Sequence, residues 1–373
     1  MVLPFDSNPW ICLENISDPR LERNRRHKLV DILVIALCGF LAGCEGWVDV
    51  ELFGKSKQKW FEKFLELPNG IPSHDTFGRV FALLDPQQLT GVLQQFVQTV
   101  TGSLKGETIA IDGKTLARSG ETSTGKKALH LVSAWATQHG VVLGQVATAE
   151  KSNEITAIPE LLKILDIRGA TVTIDAMGCQ KVIAQQVRDQ GAHYVLAVKG
   201  NQKNLYEMLQ FYFGPGRRNL VRSKLTTRDK NHGRKEMRRY TALEAPTAVR
   251  RHWPDAQSIV RVCRESMGQG KTSQEERYFV SDLAPEAKPL AECVRGHWGI
   301  ENQLHWSLDV TFNEDQSRIR QGHAPENCAM LRRLALSILK QDTRYSQSLR
   351  GKRLRAGWEM AALEQFLMVF TEN

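Results

Sequence analysis

"ETIAIDGK", residues 107–114, is the stretch that decides the fold. It is a short β run that ends in an acid, Asp112, with Gly113 directly after it. Two more β runs follow, "HLVSAWAT" (130–137) and "VVLGQVAT" (141–148), on either side of a turn at Gly140. A helical stretch, "ITAIPELLKILD" (155–166), then leads into "GATVTIDAMGCQ" (169–180), a second buried β run ending in an acid, Asp175. The helix "KVIAQQVRDQ" (181–190) and the strand of "HYVLAVKGNQ" (193–202) continue the pattern. Hairpin strands first and alternating strand and helix afterwards predict an α/β fold, a mixed sheet with helices on its faces.

Asp112 and Asp175 share a context, the C-terminal end of an apolar strand with a glycine close behind (Gly113, Gly178). In open α/β sheets that edge is where ligands bind, and adjacent strands would bring the two acids together. Carboxylates that close repel unless one takes a proton or a cation neutralises them. A hard cation with oxygen ligands, Mg²⁺ or Mn²⁺, meets that requirement. A strand-ending Asp standing alone is equally a turn or cap residue.

Downstream, "CVRGHWGIENQLHW" (293–306) and "PENCAMLRRLALSILK" (325–340) are helical, with Pro325 suited to a first turn. On a straight 3.6-residue wheel Glu301 falls in the middle of a stripe made by Val294, His297, Trp298, Leu304, His305 and Leu308. A lone carboxylate buried there costs several kcal/mol unless it is partnered. The partner is either a metal or one of the flanking histidines, His297 or His305. Asp309 sits at the edge of the stripe as a candidate outer residue, while Glu314 and Asp315 are turn-like; all three are expected to cap or to pair with Arg318 and Arg320.

Residues 1 to about 95 read as helical. A Leu29–Gly43 helix precedes "KQKWFEKFLEL" (57–67), where Trp60, Phe61, Phe64 and Leu65 share one helical face. After the break at Pro68, Asn69 and Gly70, Ser73 is placed to cap a helix whose apolar stripe is Phe77, Val80, Phe81 and Leu84. This pair is a helical hairpin or a helix-turn-helix; in the latter case Ser73, His74, Thr76 and Arg79 face DNA.

The 373 residues are 42% hydrophobic and 24% charged, the composition of a folded globular protein. The net charge of +9 points to polyanionic partners, nucleic acid first. Between Arg217 and Arg239 there are ten Lys or Arg residues against Asp229 and Glu236, so this window alone supplies about eight of the nine charges. Such a run is a solvated loop or a surface that meets phosphates. Seven cysteines without a Cys-x-x-Cys pair argue against structural zinc and for a reducing compartment. "ILVIALCGFLAGC" (32–44) is too short to span a bilayer and is expected to be a buried core helix. The chain is therefore expected to be cytoplasmic. No internal repeat or low-complexity tract interrupts it.

Taken together, "HKLVDILVIALCGFLAGCEGWVDVELFG", "GIPSHDTFGRVFALLDP", "IAIDGKTLARS", "VTIDAMGCQ", "YVLAVKGNQ", "HGRKEMRRY" and "HWGIENQLHWSLDVTFNEDQSRIR" resemble, in order and over nearly the whole chain, the H-repeat-associated transposases of bacterial insertion sequences. These are DDE-class proteins with an RNase H-like catalytic domain. The resemblance implies Asp112, Asp175 and Glu301 as the catalytic and metal-binding acids, with two divalent ions, Mg²⁺ or Mn²⁺, in the reaction. It implies an N-terminal helical DNA-binding domain (1–100), a catalytic domain (101–345) carrying a β-rich, irregular basic insertion (about 203–290), and a helical tail (346–373). DNA contacts are expected from Lys199, Asn201, Gln202, His232, Arg234 and Arg238, together with Arg79.

The broader related group carries Tyr, Arg and Lys seven before, four before and seven after the glutamate; Val294, His297 and Leu308 stand at those offsets here. His297, Arg295, Arg318 and Arg320 are the candidates to hold DNA in their place. The implied partners are double-stranded DNA, as terminal inverted repeats and target, and a second copy of the chain on that DNA, in the cytoplasm at the nucleoid. Two other readings share these residues: a metal-dependent nuclease without strand transfer, and a catalytically silent DNA-binding remnant.

Overall fold

The computed structural model describes residues 11–121, 125–148, 153–216, 220–231, 234–268 and 271–368. Six helices come first: α1 (Ile11–Glu14), α2 (Leu29–Leu41), α3 (Trp47–Ser56), α4 (Gln58–Phe61), α5 (His74–Leu83) and α6 (Pro86–Thr101). The apolar run is α2, buried along nearly its whole length. Among the described residues no helix is long and apolar enough to cross a membrane. The helix expected over 57–67 is shorter than its apolar spacing suggested. It stops at Phe61, and Leu67 takes a left-handed φ of 43° while its N–H bonds the buried Asp31 carboxylate at 3.1 Å. Trp60, Phe61 and Leu65 are buried all the same, so the apolar pattern reported burial and not helix length.

The sheet begins with β1 (Thr108–Thr115), β2 (His130–Ala136) and β3 (Val141–Ala147). Next come α7 (Glu154–Lys163), β4 (Thr171–Ile174), α8 (Lys181–Asp189), β5 (His193–Val198) and α9 (Lys203–Tyr212). β1, β2 and β3 are antiparallel neighbours, whereas β1, β4 and β5 run parallel. The order β3-β2-β1-β4-β5 with these directions is an RNase H-like core. Hairpins demand antiparallel strands and helical crossovers demand parallel ones, so the order of elements in the sequence dictates the mixture.

The β-rich insertion is regular, not irregular. β6 (Val221–Asn231), β7 (Arg234–Glu244), α10 (Thr247–Arg250), β8 (Ser258–Gly268) and β9 (Lys271–Ser281) form long antiparallel hairpins. Because β9 pairs with β5, the insertion extends the same sheet to nine strands, ordered β3-β2-β1-β4-β5-β9-β8-β7-β6.

α11 (Ala287–Gly299) then lies across β1, β4 and β5 and along β6 and β7. It passes into a π-helical turn (Ile300–His305) and α12 (Trp306–Val310). The chain ends in α13 (Ala324–Gln341), α14 (Leu349–Trp358) and α15 (Met360–Leu367). α13 has Pro325 in its first turn and is buried between α2, α5 and α6 on one side and β3 on the other. One hydrophobic core therefore runs from the N-terminal helices into the sheet. Arg353 on α14 ties that core off by donating to the Phe40 carbonyl at the end of α2 (3.1 and 3.0 Å), where helix carbonyls lack intrahelical partners.

Candidate functional site

Ile111 pairs with Ile174 across the parallel strands β1 and β4, so the next residues along them are Asp112 and Asp175. Neighbouring strands lie about 4.8 Å apart, so register alone sets the two carboxylate-bearing positions side by side. Both belong to the alternating set that faces α11. Thr108 of that set lies against Gly296, where an added Cβ would come within 3.2 Å of it, and Thr173 Oγ1 is 3.1 Å from His297 Nδ1. The lack of a side chain at Gly296 lets α11 approach the strands closely.

Asp175 Oδ1 accepts the N–H groups of Met177 (2.9 Å) and Gly178 (3.3 Å), a turn that aims the carboxylate back at the sheet edge. Gly178 has no space for a side chain: a Cβ there would stand 2.3 Å from Ile174 Cγ2 and 2.8 Å from Ile158 Cδ1.

The third acid departs from the straight-wheel expectation. The segment after α11 is wound as a π-turn, with i to i+5 bonding, which shifts the register of everything beyond it. The buried stripe runs through Val294, Ile300, Leu304 and Leu308, and Glu301 stands beside it, exposed. Glu301 is therefore not a costly buried charge. Neither histidine was spent on it: His297 bonds Thr173, and His305 Nδ1 lies 3.7 Å from Asp112 Oδ2. Burial pushes His297 down to about 4 and His305 down to about 3, so both are neutral at physiological pH.

Asp112 is pushed up to about 7, first by burial and then by the negative charges of Glu154, Asp175 and Glu301. Glu154 was missed in the sequence. It begins α7 in "SNEI", where an N-terminal acid looks like ordinary helix chemistry behind the Asn153 cap. His130 on β2 holds it, Nε2 to Oε1 at 2.8 Å, and Thr115 Oγ1 holds the other ring nitrogen at 2.8 Å. The pair fills the space over Gly113, where a Cβ would meet Glu154 Oε1 at 2.1 Å and His130 Nε2 at 2.4 Å. The glycine following Asp112 was the available signal, since it marks a close approach to the strand.

The remaining acids of residues 301–315 have partners other than those expected. Lys114, buried on β1, sits 2.7 Å from both Asp309 and Asp315. Burial alone would lower its pKa, but the two carboxylates raise it. Glu314 and Arg333 form a fully buried pair at 2.9 Å. Arg320 pairs with Glu121. Asp309 is therefore a clamp on β1, and Arg318 and Arg320 are not its partners.

The donor chemistry fits a hard divalent ion, because four carboxylates lie close enough at one sheet edge for three of them to raise the proton affinity of Asp112. Among the described residues, no group of three His, Cys, Asp or Glu is already gathered tightly enough to enclose one.

The expected DNA contacts divide. Lys199 and Arg79 are exposed. Asn201 and Gln202 instead donate their side-chain amides to the carbonyls of Ala176 and Cys179, in the loop that follows Asp175. Arg238 turns toward α11 and is paired with Asp229 (2.9 Å) and Glu236, while Arg295 also reaches Asp229 at 2.8 Å. His232 lies outside the described residues, and of Arg234 only its place at the start of β7 is described.

The opposite face of the β6–β7 hairpin exposes Arg222, Lys224, Arg228, Lys230, Lys235 and Arg239. Arg222 and Arg239 are paired with Glu244 and Glu265. Among the described residues the other four have no ion-pair partner. Their signal was the two-residue period of 222, 224, 228 and 230, legible only once the segment is known to be a strand.

A family model described as "Transposase DDE domain" matches residues 103–338, and one described as "DDE_Tnp_1-associated" matches residues 10–97. The chain is similar to the "H repeat-associated putative transposase YhhI" of Escherichia coli (strain K12), 37% identical over 94% of this chain and 95% of the relative. It is also similar to the "Putative transposase YncI" of Escherichia coli O157:H7, 37% identical over 96% of this chain and 93% of the relative. A solved piggyBac transposase synaptic complex with hairpin DNA aligns at a TM-score of 0.43 and 12% identity, over 97% of this chain and 77% of that chain.

Proposed function

This chain belongs to the family of transposases with a DDE domain, and from that premise we propose that it binds the terminal inverted repeats of an insertion sequence, cleaves phosphodiester bonds at the element ends and joins the 3′ ends to target DNA. The observation that carries this reading is the side-by-side register of Asp112, which lies inside β1 because that strand runs on to Thr115, and Asp175, directly after β4, with the Glu301 π-turn packed against β1. Asp112, Asp175 and Glu301 are the proposed catalytic acids and would hold Mg²⁺ or Mn²⁺. When bound, a divalent ion in such a site supplies activation of a water or 3′ hydroxyl and stabilisation of the leaving oxygen at phosphorus.

The protein's own contribution is rigid placement. Lys114 clamps Asp309 and Asp315 so that α12 stays docked on β1, and the buried, neutral rings of His297, against Thr173, and His305, near Asp112, do not compete for the acids as cations. Metal-dependent cutting of duplexes that carry the inverted repeats flanking the reading frame tests this reading; absence of any metal-dependent cut at those ends contradicts it.

In the proposed division, residues 1–100 form a helical DNA-binding domain, 101–345 the catalytic domain with its insertion at about 203–290, and 346–373 a helical tail. The protein is proposed to act as a dimer on DNA, in the bacterial cytoplasm at the nucleoid. DNA contact is assigned to Lys199 and Arg79 and to the outer face of the β6–β7 hairpin, chiefly Lys224, Arg228, Lys230 and Lys235, and is also proposed for His232 and Arg234. Each phosphate contact should contribute about 0.9 to the slope of log affinity against log salt. Lys224→Ala with Arg228→Ala is expected to lower that slope by roughly 1.8 in a titration of duplex binding, whereas Arg238→Ala, already ion-paired, is expected to leave it nearly unchanged.

A further inference from the structure

We propose that Asn201 and Gln202 are positioning residues for Asp175, and not DNA contacts. They form the turn that follows β5 (Gly200–Gln202), one strand beyond the strand that ends at Asp175. From there Asn201 Nδ2 donates to the Ala176 carbonyl, and Gln202 Nε2 donates to the Cys179 carbonyl at 2.9 Å and reaches Gln180 Oε1 at 3.4 Å. The two amides thus grip both ends of the 176–179 segment. Between those points Asp175 Oδ1 rests on the N–H groups of Met177 and Gly178.

The loop is neither helix nor strand. Within it the Ala176 carbonyl also takes the Cys179 N–H at 3.3 Å and the Gly178 carbonyl takes the Gln180 N–H at 2.8 Å; the two amides fasten it from outside to the turn after β5, and losing either removes a donor at a cost comparable to that of a lost hydrogen bond. Gly178 is wedged against Ile174 and Ile158, so the loop cannot relax inward. A shift of the 177–178 peptide planes would carry the Asp175 carboxylate with them. Gln202 spends both N–H bonds of its amide on this loop, and Asn201 spends one on the Ala176 carbonyl, which fixes the orientation of its side chain. The inference rests on the reading of Asp175 as a metal-holding acid.

The test uses full-length protein with Asn201→Leu, Gln202→Met and Asn201→His. The first two keep side-chain bulk and remove the donor, while the imidazole Nδ1 of the third restores one. Three quantities are read: hydrogen exchange of the 175–180 peptide, binding of Mn²⁺ alone, and affinity for a labelled random-sequence duplex. Loss of one such bond is expected to speed exchange of that peptide by roughly fivefold to tenfold and to weaken Mn²⁺ binding several-fold. Duplex affinity is expected to stay within about twofold, and Asn201→His should recover the exchange protection.

Reduced duplex affinity with unaltered exchange would return these residues to DNA contact and overturn the proposal. Faster exchange with unaltered Mn²⁺ binding would overturn it too, since the loop would then be structural only. Wild-type Mn²⁺ binding indifferent to Asp175→Asn would sink the functional reading itself, and the proposal with it, an outcome separable from the other two because it appears without any change at Asn201 or Gln202.

Discussion

Asp112→Asn, Asp175→Asn and Glu301→Gln are each expected to lower single-turnover cleavage of end DNA by roughly 10³-fold or more while leaving duplex affinity within about twofold. The replacements are isosteric, so packing is preserved; what they remove is the negative charge that would hold a divalent ion at the reacting phosphate. The effects should differ in a second measurement. Asp112 is the most burdened of the acids, pushed up to about 7 by burial and by Glu154, Asp175 and Glu301. Replacing it removes an unfavourable buried charge and should leave the apo protein as stable as the wild type, or more so, in urea at pH 8. Glu301 is exposed, and its replacement should not move the urea midpoint. Cleavage that survives in any one variant would unseat that residue.

The largest expected effect on stability lies outside the acids, at Arg333. Its guanidinium is fully buried, 2.9 Å from the equally buried Glu314, and it donates further to Ser133 Oγ at 3.3 Å and the Ala329 carbonyl at 3.1 Å. These contacts link α13 to β2 and to the turn after α12, so one side chain ties α13 to the segment that follows Glu301. Arg333→Met leaves the Glu314 carboxylate buried without a counter-charge, a loss of about 3–5 kcal/mol. It should appear as a lower denaturant midpoint with an unchanged slope. The double variant Arg333→Met with Glu314→Leu should recover most of the loss, because the penalty comes chiefly from the orphaned charge. A double variant as unstable as the single one would mean that the Ser133 and Ala329 contacts carry the stabilisation.

Asp112 and Asp175 were legible because an apolar β run leading into an acid is a local pattern and parallel pairing sets the two in register, although β1 runs on to Thr115 and only Asp175 follows the end of its strand. Glu301 was picked out by its apolar surroundings on a straight helix wheel, yet it stands exposed. A wheel of 3.6 residues has no means of anticipating a π-turn, and one inserted residue rotates every later side chain by about 100°. The residue was selected while the physical reason given for it failed. The acids at 309–315 show a different limit. Their cations, Lys114 and Arg333, come from elements far away in sequence or across a turn, and charge pairing at that range is set by tertiary packing.

The basic window was visible from composition, but which cations face outward depends on strand phase. Choosing Arg238 over Lys224 and Arg228 selected the side that packs on α11. Glu154 was hidden for the opposite reason, since an acid in the first turn of a helix has an adequate local explanation already.

The central claim is strand transfer by the site at Asp112, Asp175 and Glu301, and it is tested most directly by incubating the protein with pre-cleaved end DNA, a supercoiled plasmid and Mg²⁺. The account predicts end DNA covalently joined to plasmid through its 3′ ends, lost on Asp112→Asn. Hydrolysis of DNA without any joined product would contradict it.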